Sequence, residues 1–211
     1  MGVLSITGTV HVDCLACGRA HDVKLVQSIN AATDVEAKRR LLAGELNVLV
    51  CECGKRTQLA ANVLFHDPAK DVYYRITPGG RDEEIEAAAA QFRAAGATGT
   101  HRIVPTQNAL IEKVKMLDAD LVDWAVEMTK VLLLSTLGDL DRVLLFDRIE
   151  ADMLRWVLFD AAGALPKSVA SPRDAYEGIA VRDASRPGPG EYQIDRAWAV
   201  DAVQAMITAT N

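Results

Sequence analysis

The sequence predicts an α+β protein in two parts: an N-terminal antiparallel β unit with one inserted helix over residues 1–80, and a helical, mixed α+β part over 81–211. Three observations carry this. Short apolar–polar alternations fill the first third of the chain, as half-buried strands require. Apolar residues recur at helical spacing after residue 106. Pro78-Gly79-Gly80 punctuates the chain between the two patterns.

In the first part, Ser5 to Val12 alternates Ile6, Val10 and Val12 with polar residues, a strand leading into Cys14. His21 to Ile29 alternates again through Val23 and Leu25. Thr33 and Glu36 have capping-box spacing, so a helix is expected from Asp34 to Ala43, with Gly44 stopping it. Leu46 to Val50 reads as a strand entering Cys51. Gln58 to Phe65 and Val72 to Ile76 are further strands, with a turn at His66-Asp67-Pro68 between them.

In the second part, helices are expected at about 81–95, 106–118, 121–137, 172–180 and 195–208. The first is rich in Ala and Glu and only weakly apolar on one face. Leu110, Val114, Leu117 and Leu121 form a core-facing stripe that Trp124, Met128 and Leu132 continue, and Gly138-Asp139 breaks it. Two apolar segments at about 142–159, separated by Ile149 to Asp152, read as a β-hairpin, although Glu150 to Leu158 also fits a helical period. Pro166 to Pro172 reads as loop, with Ser171 as cap and Pro172 at the first helical position of the next helix. Asp195 is placed to cap the last helix. Trp124, Trp156 and Trp198 each sit on an apolar stripe and read as core or interface.

Composition narrows the function. Half of the 211 residues are hydrophobic and a quarter are charged, which is ordinary for a globular chain able to bury its own core. A formal charge of −6 repels a phosphate backbone. The basic clusters are short, Lys38-Arg39-Arg40 and Lys55-Arg56, and a nucleic-acid-binding ribbon would need both on one face. The apolar run Val131 to Leu134 is too short to span a bilayer. Met1 to Cys14 shows no positive leader followed by an apolar run. The expected compartment is therefore the cytoplasm, where thiols stay reduced and paired cysteines favour metal over disulfide.

The four cysteines all lie in the first quarter of the chain, as Cys14/Cys17 and Cys51/Cys53, with 33 residues between the pairs. Each pair ends in Cys-Gly. A zinc knuckle needs this arrangement: two thiolates reach one ion from a tight turn, glycine permits the positive φ, and backbone N–H groups point at the sulfurs. Two facing knuckles make the β unit zinc-ribbon-like, with Cys14, Cys17, Cys51 and Cys53 as ligands to Zn2+. Four sulfurs leave no open position for a water, so the site reads as structural. The second pair, Cys51-Glu52-Cys53, is one residue short. Its turn geometry must differ, and Glu52 adds negative charge beside the thiolates. Metal-free thiols, or a redox pair at Cys51 and Cys53, are the competing readings. His11 or His21 is available to replace a misplaced sulfur.

Cys14-Leu15-Ala16-Cys17-Gly18, Ser28-Ile29-Asn30, Leu41 to Leu46, Cys51-Glu52-Cys53-Gly54 and Leu64-Phe65-His66-Asp67 resemble the bacterial CpXC domain family. In that family two Cys-Pro-x-Cys motifs bracket a strand, a short helix and a strand. The resemblance continues through Asn108 to Lys113 into the helical part. It implies a zinc-ribbon-like domain with no established activity. Leu15 and Glu52 stand where the family has proline, and the second pair lacks a residue. His66-Asp67 fits the family pattern. Read from the residues alone it is a turn, and a proton-transfer role for His66 lacks an identifiable partner.

No phosphate-cradling glycine loop, Gly-x-Ser-x-Gly elbow or His-Glu-x-x-His motif is present, and no catalytic residue is predicted. Asp118, Asp120 and Asp123, like Asp139 and Asp141, read as helix breaks and polar faces. Asp147, Glu150 and Asp152 read as hairpin charges, with divalent-cation binding as the alternative. The sequence thus predicts a zinc-binding, non-enzymatic adaptor that binds another protein or itself. The apolar face from Leu121 to Leu137 suits such a surface, and internal packing explains it equally well. The alternatives are a thiol redox or metal-dependent enzyme using Cys51 and Cys53, and a nucleic-acid-binding ribbon.

Overall fold

The computed structural model describes residues 5–96, 98–159 and 165–210. Residues 1–4 of the N-terminal stretch read as leader-free lie outside these. The chain is α+β and forms two compact units, Met1–Ile111 and Glu112–Asn211.

The first unit begins with the antiparallel hairpin β1 (Thr7–Asp13) and β2 (Ala20–Val26), in which Val10 faces Val23 and Val12 faces His21. Inward and outward residues alternate as the sequence pattern requires. The strand expected to run on to Ile29 breaks at Gln27. Beyond it, β3 (Ser28–Asn30) leaves the hairpin and pairs in parallel with β6 (Leu64–Asp67). Between them lie α1 (Val35–Leu42) and a second small hairpin, β4 (Val48–Val50) with β5 (Arg56–Gln58). Gln58 to Phe65 is therefore two strand ends and a crossing rather than one strand.

The cap of α1 differs from the capping box expected at Thr33. Asp34 is the N-cap, and its carboxylate accepts the Ala37 N–H at 3.0 Å. Glu36 turns instead to Arg39. The other end closes as expected. Gly44 has φ of +68°, Glu45 N–H donates to Arg40 O at 2.8 Å and Gly44 N–H to Leu41 O at 2.9 Å, the pattern of a Schellman stop.

β6 pairs antiparallel with β7 (Val72–Ile76). The chain then passes Pro78-Gly79-Gly80, where the sequence places the break between parts, and continues through α2 (Asp82–Ala94) into β8 (Thr100–Val104). β8 pairs in parallel with β7, so a strand absent from the sequence reading completes the four-stranded sheet β3-β6-β7-β8. Ile29, Leu41, Leu46, Val63 and Phe65 are fully buried around it.

Asn47 ties this unit together near the cysteines. It is buried at φ +54°, its Oδ1 accepts the Val26 N–H at 2.8 Å, and its Nδ2 donates to Val26 O at 2.9 Å. The end of β2 is thereby clipped to the segment entering β4.

α3 (Gln107–Asp118) runs across the division of the chain. The second unit continues with α4 (Asp123–Thr136), the antiparallel meander β9 (Val143–Glu150), β10 (Met153–Phe159) and β11 (Lys167–Pro172), then α5 (Arg173–Ala180) and α6 (Arg196–Thr210). The 142–159 segment is thus the hairpin, not the helix its period also allowed. Its core joins Trp124, Met128, Val131 and Leu134 of α4 to Leu144, Leu154, Trp156 and Ala199, with Trp198 packed alongside. Most of the face from Leu121 to Leu137 is therefore internal packing and lends no weight to a docking surface.

Residues 166–172 do not form the expected loop, because β11 pairs with β10 from Lys167↔Leu158 to Pro172↔Met153. Ser171 is not a helix cap. Its hydroxyl accepts the Trp156 Nε1–H at 2.9 Å in the core, and α5 starts after Pro172 with no side-chain cap. Asp195 does cap α6, accepting the Trp198 N–H at 3.1 Å. Among the described residues, no helix is long and apolar enough to cross a membrane.

Candidate metal centre

Each cysteine pair sits on the turn of a two-stranded hairpin. In the first, Cys14 N–H donates to Arg19 O at 2.8 Å and Gly18 N–H returns to Cys14 O at 2.8 Å, with Gly18 at φ +71°. In the second, Cys51 N–H donates to Lys55 O at 2.9 Å and Gly54 N–H to Cys51 O at 2.9 Å, with Gly54 at φ +87°. Both glycines take the left-handed conformation that the Cys-Gly pattern predicts. The missing residue has not destroyed the turn.

The two turns bring the sulfurs together. The four Sγ atoms lie within 4.8 Å of one another. Cys14 Sγ is 3.7 Å from Cys53 Sγ, and Cys17 Sγ is 3.6 Å from Cys51 Sγ. A tetrahedron of sulfurs each ~2.3 Å from a central zinc has edges of ~3.8 Å, so this donor set fits such an ion. Cys14 and Cys51 are buried, whereas Cys17 and Cys53 are exposed. An exposed ion pair between Arg19 and Glu52 links the two turns, so the Glu52 charge is directed to a cation outside the sulfur cluster.

The thiols are electrostatically unequal. The Ala16 and Cys17 N–H groups face the Cys14 sulfur and pull its pKa down to about 6. The Cys53 N–H pulls on Cys51, but burial and the crowding Cys53, Cys17 and Cys14 thiols outweigh it and push Cys51 up to about 12. A bound cation relieves this crowding, since it takes the place of the protons that four packed thiols compete for.

Of the two histidines considered as substitute ligands, His11 is on the exposed face of β1 and pairs with Asp22 at 3.0 Å, which raises its pKa. His21 lies at the cluster, with Nε2 3.3 Å from Cys51 Sγ.

Residues 12–130 match the CpXC protein family, a span covering more than half of the chain. The chain belongs to the CpXC family. No curated protein matches it, and no solved structure matches it. In this CpXC protein the matched span takes in both cysteine turns, the four-stranded sheet, and α3 with the first half of α4. Leu15, in the position of the family's proline, is 85% exposed at the tip of the first turn.

The remaining candidate residues separate from this cluster. Among the described residues, the four cysteines are the one group of three or more potential ligands placed to hold a metal ion. Asp147 is taken by Lys115 at 2.7 Å and Arg148 at 2.6 Å, and Glu150 by Arg148 and Arg155. These ion pairs account for the Asp147 and Glu150 carboxylates, and the three hairpin acids do not form a metal-binding cluster among the described residues. Arg39 is engaged by Glu36 and Glu45, which removes it from a basic face.

Asp67 forms the expected turn, accepting the Ala69 N–H at 3.0 Å. His66 instead lies within β6, buried and stacked on Tyr73 at 4.2 Å. Tyr73 stacks in turn on His101 of β8 at 5.0 Å, and Phe92 of α2 covers His101. Burial holds both imidazoles below their ordinary pKa.

Sequence reasoning also missed a buried charge network in the second unit. Lys113 Nζ donates to Asp123 at 3.0 Å and to Ile194 O at 2.8 Å, and it lies 3.5 Å from Glu127. Lys130 Nζ meets both Glu112 oxygens at 3.1 Å and Glu127 at 2.9 Å. Glu112 also accepts the Phe146 N–H at 2.6 Å. Asp123, read from sequence as a helix-break residue, is thus an internal ion-pair partner. The available signal was the i, i+4, i+7 spacing of Asp123, Glu127 and Lys130 on α4, alongside the apolar stripe.

Proposed function

We propose that this CpXC protein binds one Zn2+ through Cys14, Cys17, Cys51 and Cys53, and that the site is the structural centre of a non-enzymatic, cytoplasmic adaptor that binds another protein. The observation that carries the metal reading is the convergence of four sulfurs at tetrahedral-edge spacing from two hairpins that share no strand pairing. The ion's work is to join these hairpins, each too small to be stable alone. A complete sulfur set leaves no position for substrate or water, which favours a structural role over catalysis.

The redox alternative at Cys51 and Cys53 is less well supported. The close sulfur approaches of 3.6 and 3.7 Å run between the turns, and the thiol with lowered pKa is Cys14. The adaptor reading draws on Leu15 and Val50. Each is an exposed apolar side chain next to a ligating cysteine, at 85% and 59% exposure.

The experiment pairs wild type with Leu15→Asp/Val50→Asp. The variant keeps its zinc and fold but loses the protein that co-purifies with wild type. Equal co-purification by both, or no co-purifying protein with wild type, contradicts the adaptor reading.

A further inference from the structure

The two cysteine turns do not supply their sulfurs equally. In the first, two backbone N–H groups, those of Ala16 and Cys17, face the buried Cys14 sulfur. The second turn is one residue shorter, and one backbone N–H, that of Cys53, faces the buried Cys51 sulfur. The shorter turn thus directs one such donor at its buried sulfur where the longer turn directs two. Four thiolates around a divalent ion leave a net negative centre, and each N–H directed at a sulfur stabilises that charge. Cys51, the more deeply desolvated member of the short pair, is the sulfur that needs the replacement.

His21 stands where that donor is lacking. It lies on β2 opposite Val12, half-buried on the strand's inward side, with Nε2 3.3 Å from Cys51 Sγ. His21 belongs to the first hairpin and the shortened turn to the second, so the donor comes from a different part of the chain. A thiolate can only accept, so the contact requires the hydrogen on Nε2 and fixes the imidazole tautomer.

We propose that His21 is a positioning residue that donates its Nε2–H to the Cys51 thiolate, in place of the second backbone donor that the short Cys51-Glu52-Cys53 turn lacks. This rests on the metal reading above. It assigns His21 a hydrogen bond to a ligand, not a bond to the ion, whose four positions the sulfurs fill. It also explains how a turn lacking a residue serves a four-sulfur site.

The test uses the full chain loaded with Zn2+, with His21→Ala and His21→Gln as variants. Three readouts are taken: the rate of zinc release to a chelator, the zinc coordination shell by X-ray absorption, and the His21 tautomer by nitrogen NMR. The expected wild-type shell is all sulfur, with the hydrogen on Nε2. His21→Ala keeps its zinc but releases it about 10–100-fold faster, the usual effect of removing an outer-shell partner. His21→Gln, which restores an N–H donor, recovers most of the difference.

Release unchanged in His21→Ala overturns the proposal, as does a nitrogen in the zinc shell, a hydrogen on Nδ1, or Gln performing no better than Ala. The wild-type tautomer and shell decide the matter even if His21→Ala fails to fold. A wild type that takes up no zinc defeats the metal reading itself. A zinc-loaded wild type with unchanged release in the variants defeats the His21 role alone.

Discussion

Replacing Lys130 by methionine should destabilise the second unit's core far more than removing one charge at the surface would. Lys130 is 9% exposed and makes three contacts of 2.9 to 3.1 Å with Glu112 and Glu127. Burial alone would lower its pKa, but Glu127 and Glu112 hold it up at about 12. Without the ammonium, two carboxylates remain in the interior, and breaking a buried pair from one side costs ~3–5 kcal/mol.

Glu112→Gln is the control. Burial pushes the Glu112 carboxyl up, and Lys130 does not fully offset it. By contrast, Lys130 and Lys113 outweigh burial at Glu127 and hold that carboxyl down. The network has three acids for two lysines, so neutralising Glu112 balances it, and the amide oxygen can still accept the Phe146 N–H. Its cost should be ~1 kcal/mol or less. Urea unfolding followed by tryptophan fluorescence reads both, because Trp124 and Trp156 lie in this core and Trp198 packs against it. Lys130→Met should lower the midpoint by about 2 M at a slope of about 2 kcal/mol per M. A Lys130→Met midpoint equal to wild type, or a larger loss from Glu112→Gln, would refute the view of the network as one interdependent set of charges.

Two further outcomes concern the first unit. Burial lowers the pKa of His66 and His101, so as pH falls the unfolded chain binds protons before the folded one does. Their contribution to stability is complete above ~6.5 and is lost as pH falls through the depressed folded values. His66→Phe, which keeps the stack on Tyr73, should flatten the fall in urea midpoint on acidification, and an unchanged slope would count against this. Gly99 has φ of +86°, and a Cβ there would lie 2.1 Å from Asp71 O, a backbone oxygen already bonded to Thr100 N–H. Gly99→Ala should therefore cost ~3 kcal/mol or more, against ~1–2 kcal/mol for Gly54→Ala, whose added Cβ meets nothing within 4 Å. Equal losses on urea unfolding would show that the clash is relieved elsewhere.

Much of the fold was legible where local chemistry acts alone. Leu110, Val114 and Trp124 mark helices by spacing, and the Cys-Gly pairs mark two turns whose glycines do take positive φ. β8 was not legible. His101 to Val104 are all buried, so the strand shows no alternation, and His101 and Arg102 disguise it as polar. β11 is Lys-Ser-Val-Ala-Ser-Pro, a sequence with little strand propensity of its own, and it forms because β10 offers an edge. The same limit hid the charge network, since hydropathy assigns Lys113, Glu127 and Lys130 to the surface and only tertiary pairing reverses that. At the metal centre, spacing indicated the four cysteines, but His21 needed the strand register that places it beside Cys51.

The decisive measurement is metal content per chain in protein purified without added zinc, for wild type and for Cys53→Ser. One zinc per wild-type chain, with loss of zinc and partial unfolding of the first unit in Cys53→Ser, is the predicted result. A well-folded wild type without metal would contradict the four-sulfur site and leave the reactivity of Cys14 as the chemistry to explain.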